Sequence, residues 1–445
     1  MTPTLEAIRD CLEGATPALI ATCSSDGTPN ISYLSHVQYV DREHVALSYQ
    51  FFNKTRANVL ANPRARLLVV HPRTGAIYRL TLEYLRTESS GPLFEGMRAT
   101  LAGIASHSGM AGVFRLLGSD VYRVRAIDLS HSTPGAGFES HSRLAALRGA
   151  VADIVACREL DQLFSTTLQS VHDRFDVSHA MLLLVERGAQ RLYTVASLGY
   201  PNSGVGSEIP IGAGIVGVAV REATPIRLSR AASAYAYGRA IREAAERDGG
   251  SAALETEIPF PGLERPGSQL AVPIPMAGDV VGALLVESED ERRFDHEDED
   301  ALTTFAALLG QAMYALQHPD EPPVPEEHAS VRRNQAHGPP LRVRHYTADH
   351  SVFLDGEYLI KGVAGAVFWA IVCDHANEGR TSFSNRELRL DPRIRLPDLA
   401  DNLEARLVLL QRRLADRCDS IGLHKTGRGR FALSVKRPLK LEEAG

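Results

Sequence analysis

Two stretches rich in proline, glycine and serine divide this chain before any helix or strand is assigned. They are His131-Ser-Thr-Pro-Gly-Ala-Gly-Phe-Glu-Ser-His-Ser142 and Pro319-Asp-Glu-Pro-Pro-Val-Pro-Glu-Glu327. The first has the composition of a linker, and the second that of a polar, semi-rigid spacer. A chain of 445 residues is also longer than one ordinary core sustains, so several domains are expected. The cuts give units at 1–130, 142–317 and 342–440. Charge differs along the chain: residues 341–445 hold 18 Lys/Arg against 14 Asp/Glu, although the whole chain nets −6. Five cysteines, odd in number and without a CxxC pair, argue against a disulfide framework or a metal cluster and for a reducing cytosol. The N-terminus lacks signal-peptide character and no apolar run reaches membrane-span length, so a cytoplasmic protein with no membrane partner is expected.

In the first unit, Leu5, Ile8 and Leu12 share a helical face, and Ala18–Ser24 reads as a strand. Asp26-Gly27 signals a hairpin, Asn30–Val40 returns, and His44–Gln50 follows as a third strand. A short helix, 56–62, stops before Pro63. Strands at 64–71, 76–85 and 120–128, with a helical segment at about 92–117, complete a small closed barrel. Between the third strand and the helix stands Lys54, the only lysine in the first 360 residues; 43 of the 48 basic residues are arginine. Lysine is a compact point charge suited to a phosphate oxygen. Thr55 adds a hydroxyl at a helix start, where free N–H groups favour an anion. A solvated lysine at a helix start is the plainer reading of that position.

The order strand, Asp-Gly, strand, strand, then Asn53-Lys-Thr-Arg-Ala-Asn58 and Asn62-Pro63 resembles the pyridoxamine-phosphate-oxidase-like split barrel. That resemblance implies FMN at a homodimer interface. It implies phosphate contacts from Lys54 and Thr55, contacts from Ser48 and Tyr49, and an isoalloxazine lined by Ser32, Tyr33, Leu34 and Ser35. The chain departs from the oxidases proper. Asn53 precedes Lys54 where an arginine pair would help hold phosphate, Tyr78-Arg-Leu-Thr81 replaces an Arg-Gln stretch, and the C-terminal arginine signature is absent. Pyridoxine chemistry is therefore not expected, and because relatives bind haem or deazaflavin, the cofactor's identity stays open.

In the second unit, Leu144, Leu147, Val151 and Ile154 form a helical stripe suited to a dimer helix or to plain core packing. Strands are expected at 182–185 and 192–196, a hairpin at 269–286, and a last helix with Phe305, Leu308, Ala312 and Leu316 inward. Ile209-Pro-Ile-Gly-Ala-Gly-Ile-Val-Gly217, Ala271-Val-Pro-Ile274 and Val281-Gly-Ala-Leu-Leu285 resemble a GAF domain, an antiparallel sheet with covering helices. The resemblance implies a pocket for a small-molecule ligand. Gly212-Ala-Gly-Ile-Val-Gly217 also matches the dinucleotide fingerprint, but that fingerprint needs a buried parallel strand before it. Tyr235 and Tyr237 are candidates to face the pocket.

The third unit reads as hairpin, three helices, hairpin. Asp355-Gly356 turns the first hairpin, Ser384-Asn-Arg-Glu387 is a capping box, and a leucine stripe runs from Leu399 to Leu414. The order resembles the winged helix-turn-helix of response regulators, whose third helix and wing contact DNA. Mapped here, the candidates are Arg406, Arg412 and Arg413 on the helix, and Lys425, Thr426, Arg428 and Arg430 on the wing. Asp398, Asp401 and Glu404 oppose that reading, and protein docking is the alternative. The whole is a multidomain α+β chain: split β-barrel, GAF sandwich with antiparallel sheet, C-terminal winged helix. The function expected is a one-component transcriptional regulator, and the alternative a flavin-dependent oxidoreductase with regulatory domains. No nucleophile or acid/base constellation is evident, and no catalytic or metal-ligating residue is assigned.

Overall fold

A computed structural model describes residues 3–12, 18–34, 36–50, 54–72, 74–107, 115–131, 142–229, 258, 260–264, 266–291, 293–317, 338–394, 403–427 and 429–444, apart from the side chains of 103–107 and 229. Much of both linker stretches, Ser35, Arg428, Asp398, Asp401, Tyr235 and Tyr237 lie outside them.

The N-terminal sheet comprises β1 (Ala18–Cys23), β2 (Pro29–Leu34), β3 (Val37–Tyr39), β4 (His44–Tyr49), β5 (Arg64–Val70), β6 (Ile77–Glu88) and β7 (Gly118–His131), in the order β2-β1-β5-β6-β7-β4-β3. Alternation in β1 and β5 sends every second side chain inward. Ile20, Leu67, Leu80 and Tyr122 are almost wholly buried there. The single strand expected over 30–40 is instead two. β2 pairs with β1 and β3 pairs with β4, so the two halves of that run lie at opposite edges of the sheet, which forms a half-barrel. Helix α1 (Lys54–Ala61) follows β4, and α2 (Pro92–His107) links β6 to β7. The 3-10 turn Glu6–Cys11 buries Ile8 and Cys11, flanked by buried Leu5 and Leu12.

The middle region starts with α3 (Leu144–Val155) and α4 (Leu160–Phe175). Its sheet is β8 (His179–Glu186), β9 (Arg191–Leu198), β10 (Glu208–Pro210), β11 (Ile226–Ser229), β12 (Ser268–Met276) and β13 (Asp279–Ser288), in antiparallel order β10-β9-β8-β13-β12-β11. Helices α3, α4 and α6 (His296–Gln317) cover one face, and α5 (Gly214–Glu222) covers the other. β8, β12 and β13 are buried on both sides, which explains their nearly unbroken apolar runs. Gly310 lets α6 meet β12 backbone to backbone: a Cβ there would come within 1.9 Å of the Pro275 carbonyl oxygen. The inward stripe of α6 is Phe305, Ala306, Leu309 and Met313, while Leu308 is 39% exposed. Of the expected stripe, Phe305 is buried and Ala312 and Leu316 pack against the core, while Leu308 departs from it. Leu144 on α3 is exposed and Ile154 buried. Gly212 turns the chain at positive φ after β10, an antiparallel edge strand, rather than after a buried parallel one.

The C-terminal α/β region holds β14 (Leu341–Tyr346), β15 (Val352–Leu354), β16 (Glu357–Ile360), α7 (Gly362–Glu378), β17 (Ser382–Ser384), α8 (Asn385–Leu390), α9 (Leu403–Arg417), β18 (Ile421–Gly427), β19 (Arg430–Val435) and β20 (Leu439–Ala444). Asp355 (φ 50°) and Gly356 (φ 95°) form the hairpin turn. Ser384 and Glu387 exchange both bonds of the capping box that opens α8. β20 adds to β14 in parallel, and β17 joins the β18–β19 hairpin.

The three regions touch. Ala102 of α2 packs on the apolar cluster under α5, and Arg98 pairs with Glu222 at 2.8 Å. Asp10 meets His296 at 2.6 Å, and Arg9 meets Asp300 at 2.8 Å. The buried cluster of the middle region runs on without a break into the C-terminal core.

Candidate functional site

A groove opens on the half-barrel where β2, β4 and the start of α1 converge. Ser32, Tyr33 and Leu34 line it from β2, Ser48 and Tyr49 from β4, and Thr55 from α1. Six of the eight residues expected to hold a cofactor are therefore brought together. Lys54 opens α1 with an exposed side chain and is not among the residues lining the groove, and Ser35 lies outside the described residues.

Thr55 is held in place. Its Oγ1 accepts from Asn30 Nδ2 at 2.8 Å and lies 2.8 Å from Ser32 Oγ. Asn58, one turn on, donates to Thr22 at 3.1 Å and pins the helix to β1. Asn30, Thr55 and Asn58 together fix the point at which α1 begins.

Arg56, Gln50, Asp120 and Tyr122 also line the groove and were missed as site residues. Arg56 stood in the quoted Lys-Thr-Arg run, but nothing local pointed to Asp120, 64 positions away. Arg56 NH1 donates to Asp120 Oδ1 at 2.5 Å, and its guanidinium lies 4.8 Å from the Tyr49 ring centre and 5.5 Å from that of Tyr84. Thr87 Oγ1 donates to the same Asp120 oxygen at 2.5 Å. Burial pushes the Asp120 carboxyl above its usual range, and the opposing Thr87 and Arg56 contacts only partly offset this.

At the floor the accounting is incomplete. Ser48 and Gln50 are 8% and 9% exposed, and neither Ser48 Oγ nor either amide atom of Gln50 has a hydrogen-bond partner. Buried polar groups are normally satisfied. Three unsatisfied atoms in one groove are what a site awaiting a polar ligand presents.

At the C-terminal region, the arginines expected to face DNA point elsewhere. Arg406 and Arg413 are each 2% exposed. Arg406 pairs with Glu186 at 3.2 Å, Arg412 donates to Asp161, Ser165 and the Val195 carbonyl, and Arg413 donates to the Leu359 carbonyl at 3.0 Å. Burial pushes the Arg413 guanidinium down to about 10. In this arrangement none of the three is presented to a phosphate, because α9 lies on the middle region. On the hairpin, Lys425 bridges Glu404 and Glu159, Thr426 is exposed, Arg430 is half-buried, and Arg428 is outside the described residues.

Among the described residues no group of His, Cys, Asp and Glu is arranged to hold a metal ion, and no helix is long and apolar enough to cross a membrane.

Residues 4–117 match the pyridoxamine 5'-phosphate oxidase N-terminal family, and residues 157–313 match the GAF domain family. Neither match extends beyond 313. Solved structures with similar parts include the GAF domain of an Acinetobacter phosphoenolpyruvate-protein phosphotransferase (24% identity, 40% of this chain and 96% of that one, TM-score 0.31). An FMN-binding protein from Syntrophomonas wolfei subsp. wolfei is similar at 16% identity, over 29% of this chain and 87% of that one, TM-score 0.25. A free methionine-R-sulfoxide reductase from Neisseria meningitidis is similar at 17% identity, over 41% and 98%, TM-score 0.31. No curated protein matches. The chain thus carries a pyridoxamine-phosphate-oxidase-like N-terminal domain and a GAF domain, followed by an α/β region.

Proposed function

We propose that this chain is a flavin-binding, ligand-sensing regulator in which FMN sits in the half-barrel groove. The observation that carries the reading is the floor of that groove, with the Ser48 hydroxyl and the Gln50 amide buried without partners. Lys54 and the first N–H groups of α1 offer positive charge to a phosphate at the rim. Ser32 to Leu34 supply a wall for a flat ring. FMN, where bound, supplies one- or two-electron redox chemistry. The chain's own residues bind and orient it: Ser48 and Gln50 offer a donor and acceptors, and Arg56 holds the Tyr49 ring beside the groove. Exposed Ile31 and Tyr33 on the edge strand β2 support closure of the site by a second copy, as a homodimer.

In this reading the GAF domain takes a small-molecule ligand. The C-terminal region, whose element order is that of a winged helix, is the reporter, with DNA as its partner once α9 is free. The five free cysteines accord with the cytoplasm.

The test is flavin titration of the purified protein, followed by quenching of FMN fluorescence. Lys54→Ala should weaken binding about tenfold or more, since a hydrogen bond to a charged group contributes ~1.5–3 kcal/mol, and Ser48→Ala about two- to tenfold, since a neutral one contributes ~0.5–1.5 kcal/mol. Wild-type protein that is folded by circular dichroism and leaves FMN fluorescence unchanged at any concentration would sink the proposal.

A further inference from the structure

Charged side chains punctuate the apolar seam between α9 and the GAF sheet. Arg406 lies under the sheet's end, its guanidinium 4.0 Å from the Tyr193 ring centre and its NH2 3.2 Å from Glu186 Oε1. Arg412 donates to Asp161 Oδ1 at 2.8 Å, to Ser165 Oγ at 2.9 Å and to the Val195 carbonyl at 2.8 Å. Ser203 Oγ donates to Asp416 at 3.1 Å, and Lys361 pairs with Glu208 at 3.1 Å.

Val195 is a special acceptor. In the β8–β9 ladder Ala196 pairs with Leu182 and Thr194 with Leu183, which leaves Val195 between them as a bulge. A bulge re-aims backbone groups out of the ladder, and here one carbonyl is directed at Arg412. The GAF sheet therefore carries an irregularity that the C-terminal helix uses.

The same two strands carry both faces. Leu184 and Tyr193 belong to the face toward α9, while their neighbours Leu183 and Leu192 belong to the face under α5. A change under α5 is one strand's thickness from Arg406 and Arg412. Removing one partner of a buried ion pair leaves an uncompensated charge, so the Glu186–Arg406 contact answers to a single substitution.

We propose that the GAF sheet is a lock on α9, with Glu186–Arg406 and the Val195 bulge–Arg412 contact as the two catches that keep α9 from an outside partner. This rests on reading the C-terminal region as the reporter. Hydrogen exchange of the full chain tests it, comparing wild type with Glu186→Gln/Asp161→Asn, both isosteric and both outside the C-terminal region. Amides of 403–417 should exchange at least tenfold faster in the variant while β12 and β13 keep wild-type rates. A random-sequence duplex at low salt should bind the variant and not wild type. Unchanged exchange in 403–417 would make the seam a fixed joint and overturn the lock. Faster exchange without duplex binding would leave the lock standing and remove DNA as the reporter's partner. Should the double variant lose protection in β12 and β13 as well, Glu186→Gln alone gives the same reading.

Discussion

At the scale of single residues, the contact between Asp10 and His296 ties the barrel to the GAF domain. Burial disfavours the charged imidazole, but the hydrogen bond and charge of Asp10 prevail and raise His296 above its ordinary value of 6.5. The sign follows from linkage. A group whose folded value is raised stabilises fully below 6.5, and its contribution is lost as pH climbs through the raised value. Docking of barrel on GAF should therefore loosen from pH 6.5 upward. Asp10→Asn should flatten that dependence, as read by the pH profile of proteolysis at the barrel–GAF joint. Ser48 and Gln50 teach the complementary lesson. Ser48 was legible as a site residue because it belongs to a matching run, whereas Gln50 becomes notable only once its burial leaves an amide without partners.

Among the elements, local chemistry was read well where a few consecutive residues decide the outcome. Asp355-Gly356 and Ser384-Asn-Arg-Glu387 adopt the turn and the capping box that their side chains favour. Ser384→Ala should cost the region about 1 kcal/mol, seen as a lowered thermal midpoint. Where the outcome depends on a distant partner, the reading failed. The 30–40 run looks like one strand, because nothing in it says that its halves pair with opposite edges of a sheet. On α6 only Leu308 was misassigned, because Ala306 and Leu309 are buried in its place. Gly310 carried no sequence signal at all, yet it sets the helix–sheet distance. Gly310→Ala forces a Cβ onto the Pro275 carbonyl and should cost more than the ~1–3 kcal/mol of ordinary overpacking, measurable in thermal unfolding of the full chain.

For the whole molecule, how its parts lean on one another was not legible in composition. Arg406, Arg412 and Arg413 look in sequence like a cationic face awaiting phosphate. Folded, Arg406 and Arg412 meet Glu186, Asp161 and the Val195 carbonyl, all more than 200 positions away, and Arg413 meets the Leu359 carbonyl, 54 positions away. β20 was likewise missed, since a short mixed strand announces itself only beside β14. That strand pair has a mechanical side. β14 and β20 run parallel in register from Leu341↔Leu439 to Tyr346↔Ala444, so a pull between Leu341 and Ala444 loads their hydrogen bonds together, in shear, rather than unzipping them singly. Tension entering through the segment before β14 would thus meet the whole strand pair at once, at the region's own edge.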